Sequence, residues 1–277
     1  MNQRNLLSAE SHFAFGKNWL DYARKIDEPK IAQAITDLQR LSGRERFDGL
    51  SFLDIGCGSG LHSLAAVRMG ADRVVGVDID ADSVAASRDT LARFAPQADT
   101  RFERVSVFDM QPEDYGGFDL VYSWGVLHHT GDMYRALTSA AALVQPQGIL
   151  MVALYRKTRF CGMWRMIKQW YSAASPAAQV RARKAWIGVQ RVMFRLTGRD
   201  HAAYVRDYGR GRGMDYFNDV HDWMGGYPYE SISPQHCRQH FEQLGFVVQH
   251  DFSVAPKSVL SGLMGSGCDE FAFRKLG

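Results

Sequence analysis

Three glycines at alternate positions, held between two apolar strands, constrain this chain more than any other feature. Residues 52–60 read Phe-Leu-Asp-Ile-Gly-Cys-Gly-Ser-Gly, and Val-Val-Gly-Val-Asp follows at 74–78. Glycine lets a backbone turn sharply and approach a ligand with no Cβ in the way. The second strand ends in an acid, Asp78, eighteen residues after Gly60. A carboxylate there suits a ribose diol, because it can accept from both hydroxyls.

The spacing discriminates between ligands. A dinucleotide turn needs G-x-G-x-x-G, with the helix N-terminus facing a pyrophosphate. Here the pattern is G-x-G-x-G, position 61 is Leu, and no Arg or Lys lies between Gly56 and His62. A ligand with a ribose and no phosphate fits better, and S-adenosylmethionine is such a ligand. Cys57 reads as a small side chain in a crowded turn rather than as a nucleophile.

Strand and helix patterns alternate around this turn. Strands are expected at 51–55, 73–77, 101–107, 118–122 and 149–154, with helices at 60–69, about 81–94 and 132–144. Such alternation indicates a parallel sheet covered on both faces. Right-handed crossovers then bring Gly56, Asp78, Asp109 and Trp124 to one edge, where open α/β sheets bind ligands. Before the first strand, 12–40 reads as helical, with Phe15, Trp19 and Tyr22 on one face, and 43–49 as a polar loop. After position 244 the chain reverts to strand, at 245–252 and 269–274.

Four of these segments, in this order, resemble the motifs of the class I S-adenosylmethionine-dependent methyltransferases. The small-molecule branch with the ubiquinone-biosynthesis-type enzymes is the most similar. Leu53 to Gly60 matches the first motif, Val77-Asp78 the second, Ser106 to Asp109 the third, and Phe118 to His129 the fourth strand and its loop. The resemblance covers roughly 12–154 and resumes at about 215–277. It implies a doubly wound, mostly parallel seven-stranded sheet of the Rossmann-like methyltransferase fold, closed by an antiparallel C-terminal hairpin and interrupted by a helical insertion. The cofactor domain would comprise 1–154 and 236–277, with 155–235 a basic helical insertion and acceptor-site segment.

The same resemblance implies roles for residues whose chemistry suits them. The backbone of Gly56, Cys57, Gly58 and Gly60 would pass under the methionine part, with Asp54 near its ammonium. Asp78 would take the ribose, Ile79 would pack on the adenine face, and Asp109 with Met110 would hold the adenine edge. Trp124 would line the methyl-transfer channel. Phe15 and Trp19 would fold over the cofactor; a packing stripe is the other reading of that face. The string Asp-Trp-Met-Gly-Gly-Tyr-Pro-Tyr-Glu, 222–230, is similar to one in relatives of this branch and is expected to help build the acceptor site. The segment 265–271 resembles a Gly-x-Gly-Cys-Asn-Glu-Phe pattern, with Asp269 in place of Asn.

Residues 155–213 break the alternation. They hold fourteen Lys or Arg against Asp200 and Asp207, a net of +12 in a chain of net +3, so the remainder sums to −9. Helices are expected at 160–171 and 177–196. A charge segregation this large speaks to partners. A lid with an incidentally basic face, a lid that attracts an anionic acceptor, and a helix pair that docks on an anionic membrane all fit. Nucleic acid fits less well. The chain lacks the Asn/Asp-Pro-Pro-Tyr that base-amine enzymes of this fold carry after the fourth strand, and lacks the Pro-Cys of cytosine-C5 enzymes.

Methyl transfer to a hydroxyl requires alignment, exclusion of water and removal of a proton, and histidine is the usual agent near neutral pH. His128 and His129 follow the fourth strand. His221, in the segment dense in aromatics and acids at 214–230, is the favoured base, with Asp219 or Asp222 able to orient it. No metal-ligand set is readable. At 277 residues and 46% apolar the chain can bury a substantial core. Its longest apolar run, 148–155, is too short to span a bilayer, its start lacks a secretory signal, and its four cysteines form no pairing motif. A cytoplasmic setting is expected.

Overall fold

The structure, a computed structural model, describes residues 15–212, 215–255 and 258–277, with the backbone alone for 209–212. Its apolar segments become seven strands: β1 (Ser51–Ile55), β2 (Arg73–Asp78), β3 (Thr100–Arg104), β4 (Phe118–Trp124), β5 (Val144–Tyr155), β6 (Phe246–Asp251) and β7 (Cys268–Lys275). They form one sheet in the order β3-β2-β1-β4-β5-β7-β6. Strands β1 to β5 pair in parallel, and β7 runs antiparallel to both β5 and β6. The order reverses between β1 and β4, which leaves a crevice at the carboxyl ends of those strands.

Successive side chains point to opposite faces of the sheet, and both faces are covered. Leu53, Ile55, Val75, Val77, Val121, Leu150, Val152, Phe271 and Phe273 enter one buried cluster. Phe52, Val74, Phe102, Leu120, Tyr122, Ile149 and Met151 enter the other. Each fully buried large side chain contributes about 1.5–3 kcal/mol, so a register slip that exchanged the faces would be prohibitive.

Eleven α-helices pack around or beside the sheet among the described residues, besides a 3-10 turn at Leu127–His129: α1 (Gly16–Ala23), α2 (Glu28–Ser42), α3 (Leu61–Arg68), α4 (Ala81–Phe94), α5 (Pro112–Tyr115), α6 (Met133–Ala142), α7 (Cys161–Ala173), α8 (Pro176–Leu196), α9 (His201–Arg212), α10 (Tyr216–Gly225) and α11 (Pro234–Gln243). Their starts follow capping chemistry. The side chains of Asp27, Ser175, Asp215 and Ser233 accept from backbone amides of the first turn, and Pro follows in the opening turn of α2, α8 and α11.

Three expectations need correction. The helix expected over 12–40 is two helices, because Asp27 caps a new start and Pro29 cannot continue the old one; residues 12–14 lie outside the described residues. The insertion has a third helix, α9, beyond the two expected. The strand expected over 101–107 ends earlier, with β3 stopping at Arg104, and within 215–230 Asp215 caps α10. Along its 21 residues α8 has no buried residue. Among the described residues no helix is long and apolar enough to cross a membrane.

Candidate functional site

The glycine turn after β1 is made by three glycines with three different tasks. All have positive φ (80°, 53° and 76° at Gly56, Gly58 and Gly60), a region that L side chains avoid. A Cβ on Gly56 would collide with the Val126 side chain, and one on Gly58 would lie 3.1 Å from the Trp19 indole. A Cβ on Gly60 would come within 2.8 Å of the Ser87 backbone, so this glycine serves the packing of α3 on α4. The amides of Gly56 and Cys57 donate to the Val77 carbonyl at 2.7 and 3.0 Å, which ties the turn to β2.

Asp78 completes that tie. Its carboxylate accepts from the Gly58 amide at 3.2 Å and the Asp80 amide at 2.9 Å. Burial pushes the Asp78 carboxyl up to about 6, against the pull of those two amides. Asp54, on β1, is buried and takes a hydrogen bond from the Ser63 hydroxyl at 2.7 Å. Burial raises it to about 7, the Ser63 bond opposes that rise, and nearby Asp78 adds to it. Burial likewise lifts the Cys57 thiol well above its ordinary value, which suits packing and not nucleophilic attack.

A cavity of about 1130 Å³ opens on this edge of the sheet. Asp54, Gly56, Cys57, Gly58, Asp78, Ile79, Trp124, Phe15, Trp19, His128 and His129 all line it. Helix α1 roofs the turn: Trp19 lies over Gly58, and the Gly16 amide donates to Asp80 at 3.0 Å. The Trp124 indole donates to Glu270 at 2.7 Å, and Arg40 holds the other oxygen of that carboxylate.

Four of the residues expected at the site are placed elsewhere. Gly60 packs helices, as above. Met110 is buried in the core cluster with Val77 and Val107. Asp109 opens on an adjoining recess of about 420 Å³ that shares Ile79, Ser106 and Phe108 with the main cavity. His221 does not line the cavity: its Nδ1 pairs with the Tyr171 hydroxyl at 2.7 Å, and burial pushes it down to about 4. The reason is helical phase. On α10, Asp219, Asp222 and Trp223 share the face that lines the cavity, and His221 is turned away from them. Asp222 does not orient it either, being held by Asn18.

The two remaining histidines differ in tautomer. The Tyr155 amide donates to Nδ1 of His128 at 3.3 Å, so its proton sits on Nε2, where no group among the described residues accepts it. Burial, with His129 and Lys168 nearby, holds this imidazole well below its ordinary pKa, and it is a neutral donor. His129 is the reverse. Its Nδ1 lies 2.6 Å from the Pro228 carbonyl, which can only accept, so the lone pair is on Nε2.

The same cavity is also lined from α8, α9 and α10. Trp186, Gln190, Tyr204, Tyr208, Tyr216 and Trp223 line it, together with Asp219 and Asp222. The Tyr208 hydroxyl donates to Asp219. Asp222 accepts from Asn18 at 2.7 Å through one oxygen, and burial raises its carboxyl well above the carboxylate range. Asp222 and Trp223 belong to the string expected at the acceptor site and Asp219 was read only as a partner of His221, while Trp186, Gln190, Tyr204 and Tyr208 were not read as site residues. Among the described residues no group of three or more His, Cys, Asp or Glu could hold a metal ion.

A parallel sheet reversed between β1 and β4, an antiparallel seventh strand and a glycine turn opposite an acid define the Rossmann-like methyltransferase fold. Solved structures share it. The chain superposes on magnesium protoporphyrin IX methyltransferase of Synechocystis PCC 6803 with bound SAH with a TM-score of 0.52 at 15% identity, covering 88% of this chain and 81% of that one. It superposes on PKMT2 of Rickettsia typhi in complex with AdoHcy with a TM-score of 0.58 at 14% identity, covering 87% and 52%.

The family follows from the sequence match. The model of the methyltransferase domain family matches residues 22–250, and the chain belongs to that family. It is 31% identical over 145 residues to the ubiquinone biosynthesis O-methyltransferase of Xanthomonas campestris pv. campestris (strain B100), 52% of this chain and 59% of that protein. The chain thus spans about three fifths of the length of this curated relative.

Proposed function

We propose that this chain is an S-adenosylmethionine-dependent methyltransferase that modifies a small molecule, at a hydroxyl oxygen. The observation that carries this is one cavity lined both by the glycine turn with Asp78 and by the aromatic side chains of Trp186, Tyr204, Tyr208 and Tyr216. A relative named as an O-methyltransferase supports oxygen as the target. The residues fit the cofactor: Gly56 and Gly58 line the cavity with backbone alone, and two half-buried or buried carboxyls, Asp78 and Asp54, line it beside them and suit hydroxyls and a cation.

In this reading Asp78 takes the ribose hydroxyls, Ile79 packs on the adenine, and the recess at Asp109 receives its edge. Asp54 faces the ammonium, and Phe15, Trp19 and Trp124 enclose the methionine end. When bound, S-adenosylmethionine supplies a methyl group already activated by positive charge on sulfur. The chain's own task is therefore to align the acceptor and exclude water. His129, whose Nε2 carries the lone pair, removes the acceptor proton, and the Pro228 carbonyl holds its ring in that tautomer. Calorimetric titration with S-adenosylhomocysteine tests the reading. Binding in the micromolar range that is lost in Asp78→Ala is the expected result, and no heat at about millimolar ligand would refute it.

A second reading concerns where the enzyme works. On α8 the side chains of Val189, Val192, Met193 and Leu196 are exposed, Leu196 at 76%, and on α7 Met166 and Trp170 are exposed. The segment that carries them has the net +12 noted above. Apolar side chains flanked by cations favour an anionic bilayer surface. Sedimentation with phosphatidylglycerol vesicles but not phosphatidylcholine vesicles is expected, and no sedimentation with either sinks this second reading.

A further inference from the structure

Buried polar atoms without a hydrogen-bond partner are rare, and several that converge on one cavity point to a ligand that completes them. Among the described residues five such atoms are sealed from solvent, on Ser83, Thr90, His128, Asp222 and Asp269. Two atoms of the cavity wall are unpaired without being sealed. Asp54 and Tyr122 are 2% and 3% exposed, and both line the cavity. The Oδ2 atom of Asp54 accepts from the Ser63 hydroxyl. Its Oδ1 and the Tyr122 hydroxyl have no partner among the described residues, yet both keep accessible surface. In side chains this deeply buried, that surface belongs to the cavity they line.

A third group stands beside them. Asp54 and Tyr122 are register partners on β1 and β4, so their side chains leave the same face of the sheet. The His62 ring lies 4.9 Å from the Tyr122 ring, half-buried in the cavity wall, and its neighbour Ser63 is the residue that holds Asp54. Neither ring nitrogen of His62 is bonded among the described residues, and neither is sealed. Loss of solvation pushes His62 down to about 4, so near neutral pH its imidazole offers a lone pair. The Tyr122 phenol is held well above its ordinary value by burial and by Asp54, Glu270 and Asp37, with Arg40 opposing, and it stays neutral. Arg40 is committed to Glu270. Three acids against one engaged guanidinium favour a cation at this place.

We propose that Asp54 Oδ1, the Tyr122 hydroxyl oxygen and a His62 nitrogen form a three-acceptor seat for a primary ammonium, and that its occupant is the α-ammonium at the methionine end of the cofactor. A primary ammonium carries three protons, and the seat offers one charged and two neutral acceptors to receive them. A carboxylate placed there would lie against the Asp54 charge with no uncommitted cation to offset it. Asp54 was expected near the ammonium from the sequence, whereas no role for Tyr122 or His62 followed from it. The assignment rests on the methyltransferase reading for the identity of the ligand. It makes the cavity selective for an adenosyl compound that carries the amino group over one that lacks it.

Three adenosyl ligands test the seat by calorimetry on the full chain near neutral pH. They are S-adenosylhomocysteine, its deaminated analogue with hydrogen in place of the amino group, and 5′-methylthioadenosine, which lacks the amino-acid end. S-adenosylhomocysteine is expected to bind about tenfold or more tighter than the deaminated analogue. Tyr122→Phe removes a single oxygen and should weaken S-adenosylhomocysteine by about fivefold or more, leaving the other two ligands within about twofold. His62→Phe, which keeps a ring against Tyr122, should act in the same way. An unchanged affinity for 5′-methylthioadenosine certifies that a variant is folded, and should Tyr122→Phe not fold, His62→Phe decides. Equal binding of S-adenosylhomocysteine and its deaminated analogue by the wild type overturns the seat, as does a ratio between them that neither folded variant changes. Those results would leave the methyltransferase reading standing. Failure of all three ligands to bind the wild type would instead overturn that reading, and the seat with it.

Discussion

Lowering the pH from 7 to 5 should weaken S-adenosylhomocysteine binding about tenfold, and Asp78 should account for it. The Asp78 carboxyl is pushed up to about 6 by burial, despite two backbone amides that favour its charged form. If the ribose hydroxyls require the ionised carboxylate, the dissociation constant scales as one plus the ratio of protonated to ionised Asp78. That factor is about 1.1 at pH 7 and about 11 at pH 5. Near pH 6 binding should release about half a proton, because the ligand draws the half-protonated group into its charged form. Calorimetry in buffers of different ionisation enthalpy measures the affinity and the proton count together. Asp78→Asn should bind about 10–100-fold more weakly at pH 7, the loss of a charge-assisted hydrogen bond. It should also lose most of the pH dependence. Asp54, raised to about 7, titrates in the same window, and a residual slope in Asp78→Asn belongs to it. A flat affinity in wild type, or the same slope in Asp78→Asn as in wild type, refutes the reasoning.

Three further outcomes are expected. The folded Asp54 carboxyl titrates near 7 against an ordinary 3.8, so the folded state keeps a proton that the unfolded chain has shed between those values. Ligand-free stability should therefore fall as pH rises through that window, and Asp54→Asn should stabilise the free protein by roughly 4 kcal/mol at pH 8 with little effect at pH 4; thermal melts that show the reverse count against it. Gly60→Ala adds a Cβ 2.8 Å from the Ser87 backbone at a φ of 76°, and should cost roughly 1–3 kcal/mol in denaturant titration. Once an acceptor is in hand, His129→Gln should lower kcat by about 10²–10⁴ with KM little changed, while His221→Phe should leave kcat within about threefold. Equal losses in the two variants would return His221 to the site.

What could be read from the chain was local, and what could not was a matter of direction. The turn at Gly56 to Gly60 and the acid at Asp78 were legible because positive φ selects glycine and strand ends are marked by where the apolar runs stop. The strand alternation followed from the same short-range patterns, while the antiparallel end of the sheet was implied by the family resemblance. The two-helix nature of the first segment was also written there, in Asp27 and Pro29, but the aromatic stripe of Phe15, Trp19 and Tyr22 hid the break. His221 was misplaced because its neighbours in sequence line the cavity and one step along a helix turns a side chain by about 100°. The insertion shows the same limit. Its charge was countable, yet counting does not tell that none of its cations, among the described residues, lines the cavity.

The eight-residue helix α1 has a bearing on both parts of the site. Within four positions it provides the amide that grips Asp80, the indole that lies over Gly58 and the carboxamide that steadies Asp222. One short helix thus ties the cover of the glycine turn to the side chain of Asp222, so a substitution that displaces it disturbs both together.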